Sequence, residues 1–197
     1  MTSSSASNSH YEPWYNRGRA FDSLGRYDEA IDCFDKALEY EPNASQVWAS
    51  RGLTLFSLKR FEEAITSFDR TLALQSDDFH TWHFRGMALL SLKQYQDAIT
   101  SFDKTVELYP GAFNTWHCRG TALDALGRYQ EAIASYDKVI ELKPDNYNTW
   151  YNRGVTLDAL GRYQEAIASY DKVVELKADD YEASVDRKFS RKGVESG

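Results

Sequence analysis

Tryptophan occurs five times in this chain of 197 residues, and each tryptophan follows the previous one by 34 residues. The five positions are Trp14, Trp48, Trp82, Trp116 and Trp150. A fixed period of this length indicates one structural unit that is repeated, with each unit burying its apolar face against its neighbours. We number the copies one to five by their tryptophans. The function is expected to lie on the surface that the array of copies presents.

Other residues repeat with the same period. In copy one the markers after the tryptophan are a glycine, a leucine, an aromatic, an alanine and a second aromatic, namely Gly18, Leu24, Tyr27, Ala30 and Phe34. Every later copy carries the same residue types at these positions. Three of the five copies end in a proline, which cannot continue a helix. The markers therefore place a chain turn between one copy and the next.

Each copy is predicted to form two α-helices. The segment 14–24 carries apolar residues at helical spacing and contains no proline. Pro13 suits the first turn of this helix, where a missing N–H costs nothing. The second helix is predicted from about Tyr27 to Tyr40, with Ala30 and Phe34 on one face. Small residues such as Gly18 and Ala30 allow the two helices to approach closely.

The position between the two helices favours a left-handed residue. Copies one, four and five have Gly25, Gly127 and Gly161 there, whereas copies two and three have Lys59 and Lys93. A lysine in a left-handed conformation is expected to cost up to about 1 kcal/mol of local stability.

Tryptophan, glycine, tyrosine, alanine, aromatic and proline at these spacings resemble the tetratricopeptide repeat family over about residues 11–183. The resemblance implies an all-α fold: an α-solenoid that forms a right-handed superhelix of five helix-turn-helix units, with a C-terminal solvating helix. The arginine before each glycine, where the family usually has leucine, resembles repeats common in bacterial proteins, including those of photosynthetic bacteria.

That arginine is accompanied by an aspartate that also recurs once per copy. The arginines are Arg17, Arg51, Arg85, Arg119 and Arg153, and the aspartates are Asp35, Asp69, Asp103, Asp137 and Asp171. Since the two residues lie on the two helices of one unit, they predict an ion pair inside each unit. A ladder of arginines that faces a ligand is the alternative.

The ends of the chain differ from the repeats. Residues 1–10 are rich in serine and are predicted to be a disordered leader, because they lack the apolar core of a signal peptide. The five-repeat domain is predicted at 11–180. A sixth unit begins at Tyr181 but has Ser184 in place of tryptophan, so 181–191 is predicted to be a capping helix and 192–197 a flexible tail.

Composition excludes several functions. The net charge of −7 argues against general nucleic-acid binding, which needs a basic face. No apolar run approaches the length of a membrane span. Cys33 and Cys118 lie in distant copies and suggest free thiols in a reducing compartment, so a cytoplasmic location is expected. Phosphate-loop, zinc-protease and nucleophile-elbow motifs are absent, so neither an enzyme nor a cofactor is expected.

In the family the first helix of each repeat lines a concave groove that holds a peptide. The resemblance therefore implies binding residues on the first helices: Ala49, Leu53, Phe56, His83, Phe84, Met87, Leu90, His117, Asp124, Tyr151, Asn152 and Asp158. Copies two and three supply the apolar residues Leu53, Phe56, Phe84, Met87 and Leu90, and Asp22 adds a further carboxylate at the rim. An apolar patch with a polar rim is typical of a protein-binding site. It predicts a partner with an apolar anchor beside a basic residue. The alternative is that these side chains only tighten the packing of neighbouring helices.

Three functional hypotheses follow. The first is a non-catalytic adaptor that binds a segment of another protein. The second is self-association through exposed terminal helices, which light scattering would distinguish. The third is a metal-responsive module built on four weak candidate ligands, His80, His83, His117 and Cys118. Histidines in the groove that bind no metal are the alternative to this third hypothesis.

Overall fold

The structure is a computed structural model that describes residues 8–177, and within this range it contains ten α-helices and no strand. The helices are α1 (Asn8–Ser23), α2 (Tyr27–Tyr40), α3 (Ser45–Ser57), α4 (Phe61–Leu74), α5 (Phe79–Ser91), α6 (Tyr95–Leu108), α7 (Phe113–Ala125), α8 (Tyr129–Leu142), α9 (Tyr147–Ala159) and α10 (Tyr163–Leu176). Two helices therefore form each copy, as predicted. The predicted capping helix at 181–191 and the tail at 192–197 lie outside the described residues, as do the first seven residues of the leader.

The helix boundaries confirm the predicted second helix of copy one at Tyr27–Tyr40, but the first helix begins earlier than expected. Because α1 begins at Asn8, residues 8–10 are helical and do not belong to a disordered leader. Pro13 is consequently inside the helix, where its missing N–H removes one intrahelical hydrogen bond. The additional turn is held by Tyr11, which is buried in the core and accepts a hydrogen bond from Gln46 Nε2 at 2.7 Å.

The chain is divided into two compact units, residues 1–94 and 95–197. The first unit contains α1 to α5, and the described part of the second contains α6 to α10. In each unit, first helices pack against second helices around buried alanines and aromatic rings.

In copies one, two, four and five, the second aromatic leaves room only for a glycine at the repeated glycine position. A Cβ atom added to Gly52 would lie 2.5 Å from Cε1 of Phe68, and one added to Gly120 would lie 2.5 Å from Cε1 of Tyr136. Both rings are almost completely buried. The close approach predicted for the two helices is therefore confirmed. It occurs where the ring fills the space that a side chain at the glycine position would need.

The repeated tryptophan binds the loop that precedes its copy through a hydrogen bond. From copy two to copy five, the indole Nε1 donates a hydrogen bond over 2.8–3.0 Å to the backbone carbonyl six residues earlier. The acceptors are Pro42, Ser76, Pro110 and Pro144. Since the acceptor is a backbone atom, serine serves as well as proline, which explains how copy two ends in Ser76 without loss of the hydrogen bond from Trp82.

The repeated arginine and aspartate do form ion pairs, but the prediction that each pair lies inside one unit is wrong. Arg153 of copy five donates from Nε to Asp137 of copy four at 2.7 Å, and Arg51 of copy two donates to Asp35 of copy one at 2.6 Å. Arg85 and Arg119 reach the preceding copy in the same way. The pairs therefore join neighbouring copies.

Within its own copy the same arginine contacts a buried serine of the second helix. Nη1 of Arg153 donates to Ser169 Oγ at 2.8 Å, and Nη1 of Arg51 donates to Ser67 Oγ at 2.9 Å. Copy one has Cys33 in place of this serine, and the guanidinium of Arg17 lies over the rings of Trp14 and Phe21, at 5.7 and 5.3 Å from their centroids. One guanidinium thus links two copies through one carboxylate and one hydroxyl.

We predict that the arginine–aspartate pair is coupled more strongly than a surface pair. A double-mutant cycle on Arg153→Met and Asp137→Asn is expected to give about 1 kcal/mol, because the arginine is only 17% exposed and its geometry is fixed by Ser169. Urea denaturation of the four proteins measures this coupling.

The exposed pair between Lys138 and Glu141, both in α8 of copy four, is the matched control for this cycle. Its coupling is expected to be at most about 0.5 kcal/mol. Equal coupling in the two cycles would show that the pair between copies has no special role in stability.

The left-handed turn between the two helices is confirmed in both lysine-bearing copies. Lys59 and Lys93 have φ of 60°, and Gly25, Gly127 and Gly161 have φ of 71–72°. Residues other than glycine are strained in this backbone conformation, because their Cβ atom crowds the backbone.

We therefore predict that Lys59→Gly raises the free energy of unfolding by up to about 1 kcal/mol, since the backbone conformation is retained and the strain is removed. Chemical denaturation measures the change. The matched control is Gly127→Ala, which should lower the stability by a similar amount, because nothing lies within 4 Å of the added Cβ and only the backbone is strained. A Lys59→Gly protein with unchanged or lower stability would contradict this account.

Candidate functional site

Helices α3, α4 and α5 of copies two and three form a surface cavity of about 290 Å³ that is open to solvent. We call it the copy-two cavity, and its lining residues are Ala49, Leu53, Phe68, Asp78, His80, Thr81 and Phe84. Three of the predicted binding residues, Ala49, Leu53 and Phe84, therefore meet at one site. Leu53 is 40% exposed, so the cavity has an apolar residue at its surface.

Other predicted apolar residues do not line this cavity. Phe56 packs edge-on against Phe84 at 5.7 Å and against Phe61 at 5.5 Å, and these contacts join it to the core around Leu55. His83, Met87 and Leu90 are half-buried. Phe56 therefore packs against the core without lining the cavity, whereas Phe84 both packs against the core and forms a wall of the cavity.

The polar side of the cavity is built by the start of α5. Asp78 caps this helix: its Oδ1 accepts the backbone N–H groups of His80 at 3.0 Å and Thr81 at 3.3 Å, and its Oδ2 accepts the Thr81 hydroxyl at 2.6 Å. Aspartate is a preferred capping residue because its side chain satisfies the unpaired N–H groups of the first turn. Asp78, Thr81 and Phe68 were not predicted as site residues, although an aspartate directly before a helix start is a recognisable signal of a helix cap.

In the second unit, the predicted binding residues hydrogen-bond mainly to each other and to the helices. His117 Nδ1 lies 2.8 Å from Thr149 Oγ1, and its Nε2 lies 3.4 Å from Asn152 Nδ2. The ring of Tyr151 packs against Tyr170 with 6.1 Å between centroids. These residues fix α7 and α9 relative to each other and to the second helices, so they contribute to packing.

The carboxylates that were expected to face a basic partner all have partners inside the protein. Asp22 accepts the Thr54 hydroxyl at 2.6 Å, and Asp124 accepts the Thr156 hydroxyl at 2.8 Å. Asp158 accepts the Tyr170 hydroxyl at 2.9 Å. In the first two cases the bond joins neighbouring copies. A structural role therefore accounts for the recurrence of these aspartates.

The titratable groups of the predicted site are governed by burial. Burial lowers the pKa of His117, and burial followed by the charge of His80 lowers the pKa of His83. Both imidazoles are thus favoured in the neutral form. Burial also raises the pKa of the Cys118 thiol to about 11, which keeps it protonated and unreactive at neutral pH.

The four weak metal candidates belong to no cluster of metal-ligating side chains in the part of the chain that the structure describes. Within residues 8–177, no group of three or more histidine, cysteine, aspartate or glutamate side chains is arranged to hold a metal ion. The two ring nitrogens of His117 instead lie against Thr149 and Asn152.

None of the described helices is long and apolar enough to cross a membrane.

The helix pairs and their repeated contacts define the protein as an α-helical repeat solenoid. The family model of the tetratricopeptide repeat matches residues 15–79, 60–113 and 119–182. The chain therefore belongs to the tetratricopeptide repeat family, as the spacing of its markers indicated. No curated protein sequence matches it.

Solved structures support the same fold. MamA is 21% identical and has a TM-score of 0.84, and the match covers 89% of this chain and 96% of MamA. YrrB, described as a TPR protein with an unusual peptide-binding site, is 24% identical with a TM-score of 0.82 and coverage of 89% and 91%. A fragment of MamA from Desulfovibrio magneticus RS-1 is 22% identical with a TM-score of 0.82, and the match covers 88% of this chain and 98% of the fragment.

We predict that His117 makes the stability depend on pH. Its pKa in the folded protein is below the ordinary value of 6.5, so in the window between these two values the unfolded chain binds a proton and the folded protein does not. The free energy of unfolding should fall as the pH falls through this window and should not change from this cause above it. Urea denaturation at about pH 5.5 and about pH 7.5 measures the difference.

The matched variant for this prediction is His117→Gln, which keeps a polar side chain but cannot be protonated. Its stability should change less between the two pH values than that of the wild type, with the remaining change due in part to His83. An identical pH dependence in the two proteins would show that His117 does not titrate in this way.

Proposed function

We propose that the protein is a non-catalytic scaffold that binds a segment of another protein, and that the copy-two cavity receives an apolar anchor of this segment. Members of the tetratricopeptide repeat family commonly mediate protein–protein interaction, and YrrB is described as having a peptide-binding site. The coarse function follows from the family. The site and the chemistry of the partner are our proposal, and a cytoplasmic location is proposed on the ground of the two cysteines.

The observation that carries the proposal is the cavity itself. Its volume of about 290 Å³ is at the lower limit of small-molecule sites, which favours one or two side chains of a peptide over a larger ligand. Ala49, Leu53, Phe68 and Phe84 give it apolar walls, while Asp78 and His80 give it a polar edge. An apolar centre with a polar rim is the usual arrangement of a binding hot spot.

Charge supports a partner that is basic beside its anchor. The chain has a net charge of −7, and the nearest carboxylate to the cavity is Asp78, with the exposed Asp77 next to it in the sequence. A lysine or arginine near the anchor would be attracted to this edge, and such complementarity raises the rate of association more than the final affinity.

The test begins with selection of a displayed peptide library on the wild-type protein. We expect the selected peptides to share an apolar residue next to lysine or arginine. In Leu53→Glu their affinity should fall by about tenfold or more, because a carboxylate at the mouth of the cavity disfavours an apolar side chain. Isothermal titration calorimetry measures the affinities, and circular dichroism confirms that the variant is folded.

Val155→Glu is the matched control, because Val155 has the same position in copy five and is also 40% exposed. This variant should bind the selected peptides as the wild type does. Equal losses in the two variants, no loss in either, or a failure to select any peptide would contradict the proposed site.

A further inference from the structure

In three copies, the residue that follows the tryptophan places an aromatic ring against the second aromatic of the same copy. The ring centroids are 6.0 Å apart for Tyr15 and Phe34 in copy one and 5.8 Å apart for His117 and Tyr136 in copy four. In copy five the equivalent rings, of Tyr151 and Tyr170, are 6.1 Å apart. These pairs are tilted, which is a favourable geometry for aromatic contact.

Copy two has alanine at this position. Ala49 supplies no ring to cover Phe68, and both residues line the copy-two cavity. The cavity therefore lies where the other copies place an aromatic side chain.

Contacts with the following copy support this correspondence. The hydroxyl of Tyr15 lies 3.3 Å from Ser50 Oγ, and His117 Nδ1 lies 2.8 Å from Thr149 Oγ1, in each case in the next copy. The residues of copy three at these two positions are Phe84 and Thr81, and both line the cavity. The copy-two cavity thus has the floor and the far wall that an aromatic ring contacts in the other copies.

We propose that the copy-two cavity binds a tyrosine side chain of the partner segment, which takes the place of the ring that Ala49 lacks. This inference rests on the proposed function and specifies its anchor. Two of the three internal examples are tyrosines, and the third is a histidine that contacts a threonine hydroxyl. In the cavity, the ring packs against Phe68 and Phe84.

The polar edge of the cavity suits a phenol. The Thr81 hydroxyl donates its proton to Asp78, so its oxygen can accept a hydrogen bond from a second donor. A phenol O–H is such a donor, and the adjacent carboxylate favours a donor over an acceptor. A phenylalanine or leucine anchor would leave this edge without a partner, at the cost of desolvating it.

Ala49→Tyr tests the inference, because it gives copy two the side chain that copies one and five already have. The variant should fold with a melting temperature no lower than that of the wild type and should bind the selected peptides about tenfold or more weakly. Ala49→His, which reproduces the residue of copies three and four, is a second variant in case the tyrosine disturbs folding.

A small probe tests the anchor directly. We expect p-cresol, which is the tyrosine side chain, to shift the amide NMR signals of Thr81 and Phe84 in the wild type and not in Ala49→Tyr. Toluene, which is the phenylalanine side chain and lacks the O–H donor, should bind at least about tenfold more weakly. The converse variant is Tyr151→Ala, which should open a new p-cresol site beside Tyr170 in copy five.

The outcomes separate the two proposals. If the selected peptides carry leucine or another aliphatic anchor and lose affinity in both Leu53→Glu and Ala49→Tyr, the proposed function holds and the tyrosine anchor is refuted. If p-cresol fails to bind the wild type, or binds Ala49→Tyr equally well, the tyrosine anchor is also refuted. Peptides that are insensitive to both variants would refute the site and with it the inference.

Discussion

The contact between a backbone glycine of the first helix and an aromatic ring of the second is the constraint on which copies one, two, four and five depend. In copy two the ring of Phe68 occupies the space that a side chain at Gly52 would need. This contact sets the separation of the two helices and fixes which side of the ring is covered. The other side faces the residue after the tryptophan, which is aromatic in most copies and is Ala49 in copy two. The one cavity that we connect with function is therefore a gap in the pattern that builds the core.

Polar contacts between copies add a direction to this packing. The Arg51 guanidinium reaches back to Asp35 in the preceding copy, and the Thr54 hydroxyl reaches back to Asp22 in the same copy. Each carboxylate thus belongs to one copy and its donor to the next. The ion pair is modest individually, because the side chain of Asp35 is 48% exposed. Repeated along a unit, such contacts specify the register in which neighbouring helix pairs stack.

The period of the sequence was sufficient to predict the helix pairs, because every marker that builds a pair recurs in every copy. It could not predict the partner of Arg153, since a marker that recurs in every copy is consistent with contacts inside a copy and with contacts between copies. The early start of α1 was not predicted, because it depends on a residue outside the repeated pattern. Tyr11 lies before the first tryptophan, and its burial in the core holds the additional turn. The period of the sequence identifies the structural elements that recur in every copy. Contacts at the ends of the repeat array depend on single residues that do not recur.

The candidate site was predicted in part for similar reasons. Leu53 and Phe84 were identified because apolar residues stood where polar ones were expected, and both line the cavity. Phe56 was included on the same ground but is used for packing. The significance of Ala49 lay in comparison with the other copies, since an alanine in a helix attracts no attention until its equivalents prove to be rings stacked on the core.

The tryptophans have a consequence that goes beyond their role in the loops. From copy two onward, each indole donates a hydrogen bond to the backbone carbonyl six residues earlier, at the end of the preceding copy, and Trp48 also lies beneath the Arg51 guanidinium. Indole fluorescence responds to such surroundings, and the four tryptophans that share this hydrogen bond are spaced 34 residues apart along the chain. A repeat protein can unfold one region at a time. Variants that each retain a single tryptophan would therefore report, through their fluorescence, in which copy unfolding begins and how far along the chain it extends.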